Sequence, residues 1–190
     1  DFLLLVNRDL PLNQNYVPMD LVVIEDVLSD DIVKVKYKGT QANRTAVEAL
    51  APCAGRLVVT PHPGEMARLA GISVAQVLQM PADVALGFAR KTGAVTVLKG
   101  HRTLVATPDG RLYRNTTGNA GLARGGSGDI LAGMVAGLAA QGLSPEAAAV
   151  CGVWLHGAAA DVCAARHSMQ GMLPEDILQG LCAVFLENGR

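Results

Sequence analysis

The chain has 190 residues, of which half are hydrophobic and 17% are charged, and this composition excludes an intrinsically disordered protein. The length fits one domain with a single hydrophobic core. Sixteen basic and seventeen acidic residues give a net charge of -1, so no positive field for binding nucleic acid is expected. The 21 glycines and the low aromatic content (4%) are typical of a packed α/β protein with many tight turns.

The sequence predicts neither a membrane span nor a secretion signal. Its longest uncharged stretch, residues 130–145, is shorter than the roughly 20 apolar residues that cross a bilayer. The apolar run at the start has no basic leader, and the missing initiator Met suggests a fragment. The cysteines show no close pairing, so we expect free buried thiols in a reducing compartment and therefore a cytoplasmic protein; they are Cys53, Cys151, Cys163 and Cys182.

In the first half of the chain, alternation and turn residues predict strands, helices and a hairpin. The segment Ile32–Tyr37 alternates apolar and polar side chains, as a half-exposed strand does. From about Val47 onward the pattern becomes regular α/β, with strands at 56–60 and 94–98 and helices at 64–69 and 82–91. A hairpin of 103–107 and 111–114 then turns at Pro108-Asp109-Gly110. Strands followed by helices favour a parallel or mixed sheet.

The second half of the chain is predicted to be helical after a glycine-rich segment, residues 118–128. Helices are expected at about 129–140, 145–165 and 174–187. The first of them carries large apolar residues on one side and small ones on the other, so we expect it to be buried on most sides. The second begins with a cap, a first-turn proline and an acid, Ser144-Pro145-Glu146.

The strongest chemical signal is Gly125-Gly-Ser-Gly-Asp129, directly before an apolar helix. Glycines lack Cβ atoms, so successive backbone N–H groups can converge on one anion, and the helix adds its N-terminal N–H groups. Asp129 is then placed to take a proton from a substrate hydroxyl while phosphate rests on the loop. The alternative is that Asp129 is only a helix N-cap and the glycines only form a turn. The segment is neither a Walker loop nor the dinucleotide-binding fingerprint.

Four other residues are candidates, each with a plainer alternative. Lys99 follows a predicted strand and is placed to meet a nucleotide phosphate or ribose, or is simply solvated. His62 and Glu65 lie between a strand and a helix, where open α/β sheets bind ligands, and Glu65 could hold Mg²⁺ through water or complement a helix dipole. His156 lies in an apolar stretch and is interpreted as a satisfied core histidine. The four histidines show no metal-ligand spacing.

Six motifs in order connect the chain with a known family. They are Thr60-Pro-His-Pro-Gly-Glu-Met-Ala-Arg-Leu69, Val97-Leu-Lys-Gly100, Asn115-Thr-Thr-Gly-Asn119, Gly125-Gly-Ser-Gly-Asp-Ile-Leu-Ala-Gly133, Ala140-Gln-Gly-Leu-Ser-Pro-Glu-Ala-Ala148 and Leu155-His-Gly-Ala-Ala159. With them the chain, from about Ala46 onward, resembles the ADP-dependent NAD(P)H-hydrate dehydratase family. The resemblance implies a ribokinase-like three-layer α/β sandwich.

The resemblance also implies a reaction that repairs hydrated nicotinamide cofactors. ADP, or ATP in some relatives, phosphorylates the added hydroxyl of the hydrate, and phosphate then leaves to restore NADH or NADPH. The resemblance implies that Asp129 is the base and contacts the substrate, that His62 also contacts the substrate, and that Glu65 lies near Mg²⁺. The implied nucleotide-binding residues are Lys99, Gly100, His101, Arg102, Thr103, Gly125, Gly126, Ser127 and Gly128. We expect a homo-oligomer that binds these small molecules and neither nucleic acid nor membranes.

Residues 1–45 do not resemble the front part of this family, which completes the sheet and the substrate pocket. They resemble instead the opening of zinc D-alanyl-D-alanine carboxypeptidases, whose zinc motifs are absent. We therefore expect an atypical segment, 1–45, followed by the C-terminal part of a dehydratase domain, 46–190. Two alternatives to the dehydratase are a kinase for a small alcohol and a nucleotide-binding remnant without turnover.

Overall fold

A computed structural model describes residues 2–6, 22–29, 32–37 and 53–188, the first three ranges by their backbone. The strands are β1 Phe2–Val6, β2 Val22–Ser29, β3 Ile32–Tyr37, β4 Leu57–Val59, β5 Val95–Leu98, β6 Leu104–Ala106 and β7 Leu112–Arg114. The helices are α1 Pro63–Ala70, α2 Val74–Gln79, α3 Pro81–Thr92, α4 Ser127–Ala140, α5 Pro145–Gly171 and α6 Pro174–Asn188, with a 3₁₀ turn at Ala120–Leu122. The predicted boundary between residues 45 and 46 lies outside the described residues, as does most of the carboxypeptidase-like segment.

The strands of the described ranges form one mixed sheet, as the sequence predicts. Their order across the sheet is β2-β3-β1-β4-β5-β6-β7. Strands β4 and β5 are parallel, whereas β5, β6 and β7 pair antiparallel. On the other side of β4, β1 pairs antiparallel with it. The carboxyl ends of β4 and β5 therefore meet at the same edge of the sheet.

Helices cover both faces of the sheet. Side chains that alternate along each strand point to opposite faces and so pack against different helices. Leu57 and Val59 of β4 pack toward α1, α2 and α3, whereas Val58 packs toward α4 and α5. The side chains of β6 alternate in the same way: Leu104 and Ala106 point to the face covered by α1, α2 and α3, and Val105 points to the face covered by α4 and α5. The predicted three-layer sandwich is confirmed.

The C-terminal helices pack on one another as well as on the sheet. Helix α5 is long and apolar enough to cross a membrane by length and composition alone, although half of its most apolar window is buried within the protein. It lies between α4 and α6 and contacts β4 and β5, which is the position of a core helix. Near its end, Ser168 takes a φ of 63° and interrupts the helical backbone.

Several details differ from the sequence predictions, and those of α2 and α4 bear on the site. Helix α2 was not expected; it begins with a capping box in which Ser73 and Gln76 satisfy each other's backbone N–H groups. Helix α4 begins at Ser127, two residues before the predicted start. It is also less enclosed than expected, because Gly133 and Gly137 are exposed, and a Cβ atom on either would meet nothing within 4 Å in the described part of the chain.

All four cysteines are free thiols, as predicted. Cys53 and Cys163 are buried, but Cys151 and Cys182 are exposed on α5 and α6, so the expectation that all would be buried is wrong.

Candidate active site

A cavity of about 570 Å³ opens at the edge where β4 and β5 end. Open α/β sheets bind ligands at this edge. Four segments line the cavity: His62 and Pro63 after β4; Lys99, Gly100, His101 and Thr103 after β5; nine residues from 117 to 128; and Leu131 with His156 from α4 and α5. No Asp or Glu lies among these lining residues, whereas Lys99 and Arg124 do. The cavity is therefore suited to an anionic ligand.

Most of the predicted nucleotide and substrate residues lie in this cavity, but several do not. It brings together His62, Lys99, Gly100, His101, Thr103, Ser127 and Gly128. Arg102 lies instead in a neighbouring cavity of about 290 Å³, which shares the 99–101 segment and has an apolar wall. Gly125, Gly126, Glu65 and Asp129 are not among the lining residues of either cavity.

The N-terminus of α4 faces the cavity without a side-chain cap. Its N-cap residue is Gly126, in the left-handed region with a φ of 93°, a conformation that favours glycine. The Ser127 hydroxyl does not cap the helix; it donates to the Leu122 carbonyl at 2.6 Å. The alternative that Asp129 is the N-cap is therefore wrong. Helix N-termini without side-chain caps present N–H groups and a positive dipole end to a bound anion.

Lys99 brings a positive charge to the same place. A Cβ atom built on Gly128 would lie 3.2 Å from Lys99 Nζ, so the ammonium group sits directly over this glycine. Lys99 Nζ also lies 3.7 Å from Glu65 Oε2, and its side chain is only 25% exposed. Its backbone N–H donates to the Pro61 carbonyl at 2.8 Å, which ties the end of β5 to the end of β4. The interpretation of Lys99 as a solvated surface lysine is wrong.

His62 and Glu65 stabilise the start of α1 by capping each other. His62 Nδ1 accepts from the Gly64 and Glu65 N–H groups at 3.0 and 3.3 Å, while the His62 N–H donates to Glu65 Oε2 at 2.6 Å. His62 Nε2 lies 3.1 Å from Glu65 Oε1. Partial burial lowers the pKa of His62, and the Glu65 carboxylate opposes this shift. The contacts fit a neutral ring that accepts at Nδ1 and donates at Nε2.

Asp129 lies on the outer face of α4. It is the third helical residue, its N–H donates to the Gly126 carbonyl at 3.1 Å, and its side chain is exposed. Gly128, the preceding residue, lines the cavity. The predicted base, Asp129, is therefore adjacent in sequence to the uncapped start of α4, but its side chain lies outside the cavity wall.

The segment 115–119 lines the cavity through Thr117, Gly118 and Asn119, which were quoted as a motif but were not predicted as site residues. Its side chains anchor it to α5. The Thr117 hydroxyl lies 2.9 Å from the Trp154 carbonyl, to which it donates, and 3.1 Å from Asn115 Oδ1. Such side-chain bonds to backbone fix an irregular segment in one conformation.

Asp161, about two helical turns after Trp154 on α5, holds the other end of this segment. Its carboxylate accepts from the Gly118 N–H at 2.8 Å and from Asn119 Nδ2 at 2.9 Å. Asn119 Oδ1 in turn accepts from the Gly121 N–H at 2.9 Å, at the start of the 3₁₀ turn. The Asn115 to Asn119 motif therefore serves to position this wall of the cavity.

His156 is a lining residue that sequence reasoning missed. It is buried, with 7% of its surface exposed, as expected of a core histidine. However, its Nε2 has no hydrogen-bond partner among the described residues, so the interpretation as a satisfied histidine is wrong. Burial lowers the pKa of His156 to about 4; a hydrogen bond with the Ser127 backbone opposes this shift, and the Lys99 charge adds to it. His156 is therefore neutral at pH 7.

Comparison with known proteins identifies the family of the chain. The sequence profile of the NAD(P)H-hydrate dehydratase family matches residues 38–182. The chain belongs to this family. It is 54% identical over 106 residues to an ADP-dependent (S)-NAD(P)H-hydrate dehydratase of Neisseria meningitidis, a match that covers 56% of this chain and 36% of that protein.

Solved structures show the same fold. The ADP/ATP-dependent NAD(P)H-hydrate dehydratase of Bacillus subtilis, co-crystallised with ATP/Mg²⁺ and soaked with CoA, matches with a TM-score of 0.66 and 38% identity. This match covers 68% of the present chain and 48% of the other. A ribokinase-like superfamily protein of Enterococcus faecalis matches with a TM-score of 0.60 and 31% identity over 75% of this chain and 50% of that one. The fold is ribokinase-like, and the chain spans half or less of the length of these relatives.

Proposed function

We propose that the cavity binds an adenine nucleotide and that the start of α4 directs its terminal phosphoryl group to the hydroxyl of NAD(P)H hydrate. The observation that carries this proposal is the ammonium group of Lys99 lying over Gly128, at a helix N-terminus that no side chain caps. A point charge and the positive end of a helix dipole then act on one phosphate. The names of the relatives supply the substrate.

The proposed reaction has two steps. The hydroxyl oxygen of the hydrate attacks the β-phosphorus of ADP, its proton passes to a carboxylate, and AMP leaves with the electrons of the broken P–O bond. The phosphate then leaves with the electrons of the C–O bond, while the nicotinamide ring loses a proton from the neighbouring carbon. A C=C bond forms, and the sum is hydrate plus ADP giving NAD(P)H, AMP and phosphate. The catalytic contribution is positioning and charge stabilisation.

Asp129 is the proposed base. It directly follows Gly128 and its side chain is exposed, so its carboxylate is open to a substrate hydroxyl that approaches the start of α4 from outside the cavity wall. In this proposal the segment Lys99 to Thr103 contacts the nucleotide, together with Gly125, Gly126, Ser127 and Gly128. His62, in the cavity wall, contacts the hydrate.

The residues of this site would hold Mg²⁺ only together with the phosphates of a bound nucleotide. Both oxygens of Glu65 already contact His62, and the described residues contain no group of three His, Cys, Asp or Glu able to hold a metal ion. Mg²⁺ commonly keeps several waters and binds through one carboxylate plus substrate phosphates. When bound, the ion would neutralise charge on the phosphates, with Glu65 as its water-bridged protein partner.

An absorbance assay tests the proposal. The chain is incubated with NADH hydrate, ADP and Mg²⁺, and the NADH formed is followed at its absorption band. Formation of NADH with one AMP per turnover supports the dehydratase. Accumulation of a phosphorylated small alcohol instead, with no NADH, favours the alternative kinase. Binding of ADP in a calorimeter without any product favours the nucleotide-binding remnant.

The cytoplasmic location and the homo-oligomeric state stay predictions. Cell fractionation tests the first, and light scattering tests the second.

A further inference from the structure

Two buried side-chain polar atoms have no hydrogen-bond partner among the described residues, namely Thr60 Oγ1 and His156 Nε2. Of these two residues, only His156 lines the large cavity. An unsatisfied buried polar atom costs stability, so in native proteins such an atom is paired with protein, with water or with a bound ligand. The partner of His156 Nε2 is therefore to be sought in what the cavity binds.

The chemistry of the ring determines what that partner can be. The hydrogen bond with the Ser127 backbone raises the pKa of His156, which is the sign expected when the ring donates to a carbonyl oxygen. Because Nε2 has no partner, Nδ1 is the donating nitrogen. In a neutral imidazole the second nitrogen is then an acceptor. Nε2 consequently needs an O–H or N–H donor.

We propose that His156 is a ligand-binding residue of this cavity, whose Nε2 accepts a hydrogen bond from a hydroxyl or amino group of the bound ligand. Phosphate oxygens are acceptors and cannot fill this role, so the task differs from that of Lys99 and the start of α4. In terms of the proposed function, on which this inference rests, the donor is a ribose hydroxyl or adenine amino group of the nucleotide, or the hydroxyl or carboxamide of the hydrate.

Three variants separate the two ring nitrogens. His156→Asn retains a donor near the Nδ1 position for the Ser127 carbonyl but has no atom at the Nε2 position. His156→Gln places an amide group near the Nε2 position and can supply the acceptor there. His156→Leu removes both. His167→Asn, an exposed position on the same helix, is the matched control.

Two measurements are made on each variant: calorimetric titration gives the Kd for ADP, and steady-state kinetics gives the KM for NADH hydrate. We expect His156→Asn and His156→Leu to weaken binding of one ligand about three- to tenfold, while His156→Gln and His167→Asn stay near the unmodified chain. A higher Kd for ADP assigns the donor to the nucleotide, and a higher KM for the hydrate assigns it to the substrate. Leu at this position removes the unsatisfied Nε2 together with the hydrogen bond to Ser127, so the two effects oppose each other and we expect only a small change in Tm.

The failure of this inference and the failure of the proposed function look different. If the unmodified chain binds ADP but Asn, Leu and Gln all match it in Kd and KM, His156 is not a ligand-binding residue. A fall in Tm that accompanies every loss of affinity, in Gln as well as in Leu, would also overturn the inference in favour of a structural role. If the unmodified chain binds no ADP and forms no NADH, the proposed function fails, and this inference with it.

Discussion

Gly157 lies so close to Thr117 that a Cβ atom on residue 157 would stand 2.7 Å from the Thr117 carbonyl carbon. Real Cβ atoms essentially never approach a carbon so closely. Thr117 belongs to the segment that walls the cavity, and its hydroxyl donates to α5 one turn before Gly157. The missing side chain of Gly157 thus permits the cavity wall to lie on the helix that also carries His156.

Gly157→Ala is therefore expected to displace the wall. The extra methyl group meets backbone atoms that cannot rotate away, so we expect a loss of about 1–3 kcal/mol in the free energy of unfolding. ADP affinity should fall with it, because Thr117, Gly118 and Asn119 move. Urea unfolding and calorimetric titration measure the two effects.

Gly133→Ala is the matched control, also a helical glycine. A Cβ atom there meets nothing within 4 Å in the described residues, so alanine should stabilise the helix by roughly 0.5–1 kcal/mol. Equal effects of the two substitutions would contradict the packing argument.

Lys99→Met should reduce nucleotide affinity more than stability. The contact with Glu65 is a partly exposed ion pair at 3.7 Å, worth no more than about 1 kcal/mol. A charged hydrogen bond to phosphate is worth more, so the Kd for ADP should rise roughly 10- to 100-fold. The affinity of the unmodified chain should also fall more steeply with added salt than that of the variant. Lys91→Met, an exposed lysine at the end of α3, should change neither quantity; a similar rise in Kd would indicate a general charge effect.

Much of the fold could be predicted from local sequence. Gly110 and Pro108 mark the hairpin turn, and the caps at Ser144 and in the His62 turn mark helix starts that the structure contains. Helix α2 was missed because six residues are too few for a 3.6-residue periodicity to be recognised. The pair Ser73 and Gln76 was the available signal.

The site was predicted only in part, because side-chain direction depends on where a helix begins and on what packs against it. With α4 starting at Ser127, successive residues turn by roughly 100°, which places Ser127 and Gly128 at the cavity and Asp129 outside it. The surroundings of His156 come from the docking of α5 on the start of α4, about thirty positions away in the chain. No local pattern contains that contact.

Asp129→Asn tests the proposed base. Replacing a positioned carboxylate with an amide should lower the rate of NADH formation roughly 10²- to 10⁴-fold relative to the unmodified chain. The Kd for ADP should stay the same, because Asp129 does not line the cavity. Losing an acid from the first turn of an exposed helix end costs at most about 1 kcal/mol. Glu175→Gln, an exposed acid in the first turn of α6, is the control and should leave turnover intact. Unchanged turnover in the Asp129 variant would remove this residue from the mechanism.

Acid should destabilise the fold through His156. Its pKa is about 4 when folded, below the value of 6.5 for an exposed histidine, because burial and the facing charge of Lys99 disfavour the imidazolium. Between pH 6.5 and 4 the unfolded chain therefore binds a proton that the folded chain does not, so stability is complete above pH 6.5 and declines as the pH falls. The full loss from this one residue approaches about 3 kcal/mol.

Urea unfolding of the unmodified chain and of His156→Gln at pH 7, 6 and 5 measures this contribution. Gln does not titrate, so the variant lacks this loss. As the pH falls, the unfolding free energy of the unmodified chain should therefore decrease relative to that of the variant. His62, whose pKa is also lowered, titrates in both proteins and cancels in the difference. A difference that stays constant from pH 7 to pH 5 would mean that His156 takes up its proton as readily in the folded protein as in the unfolded chain.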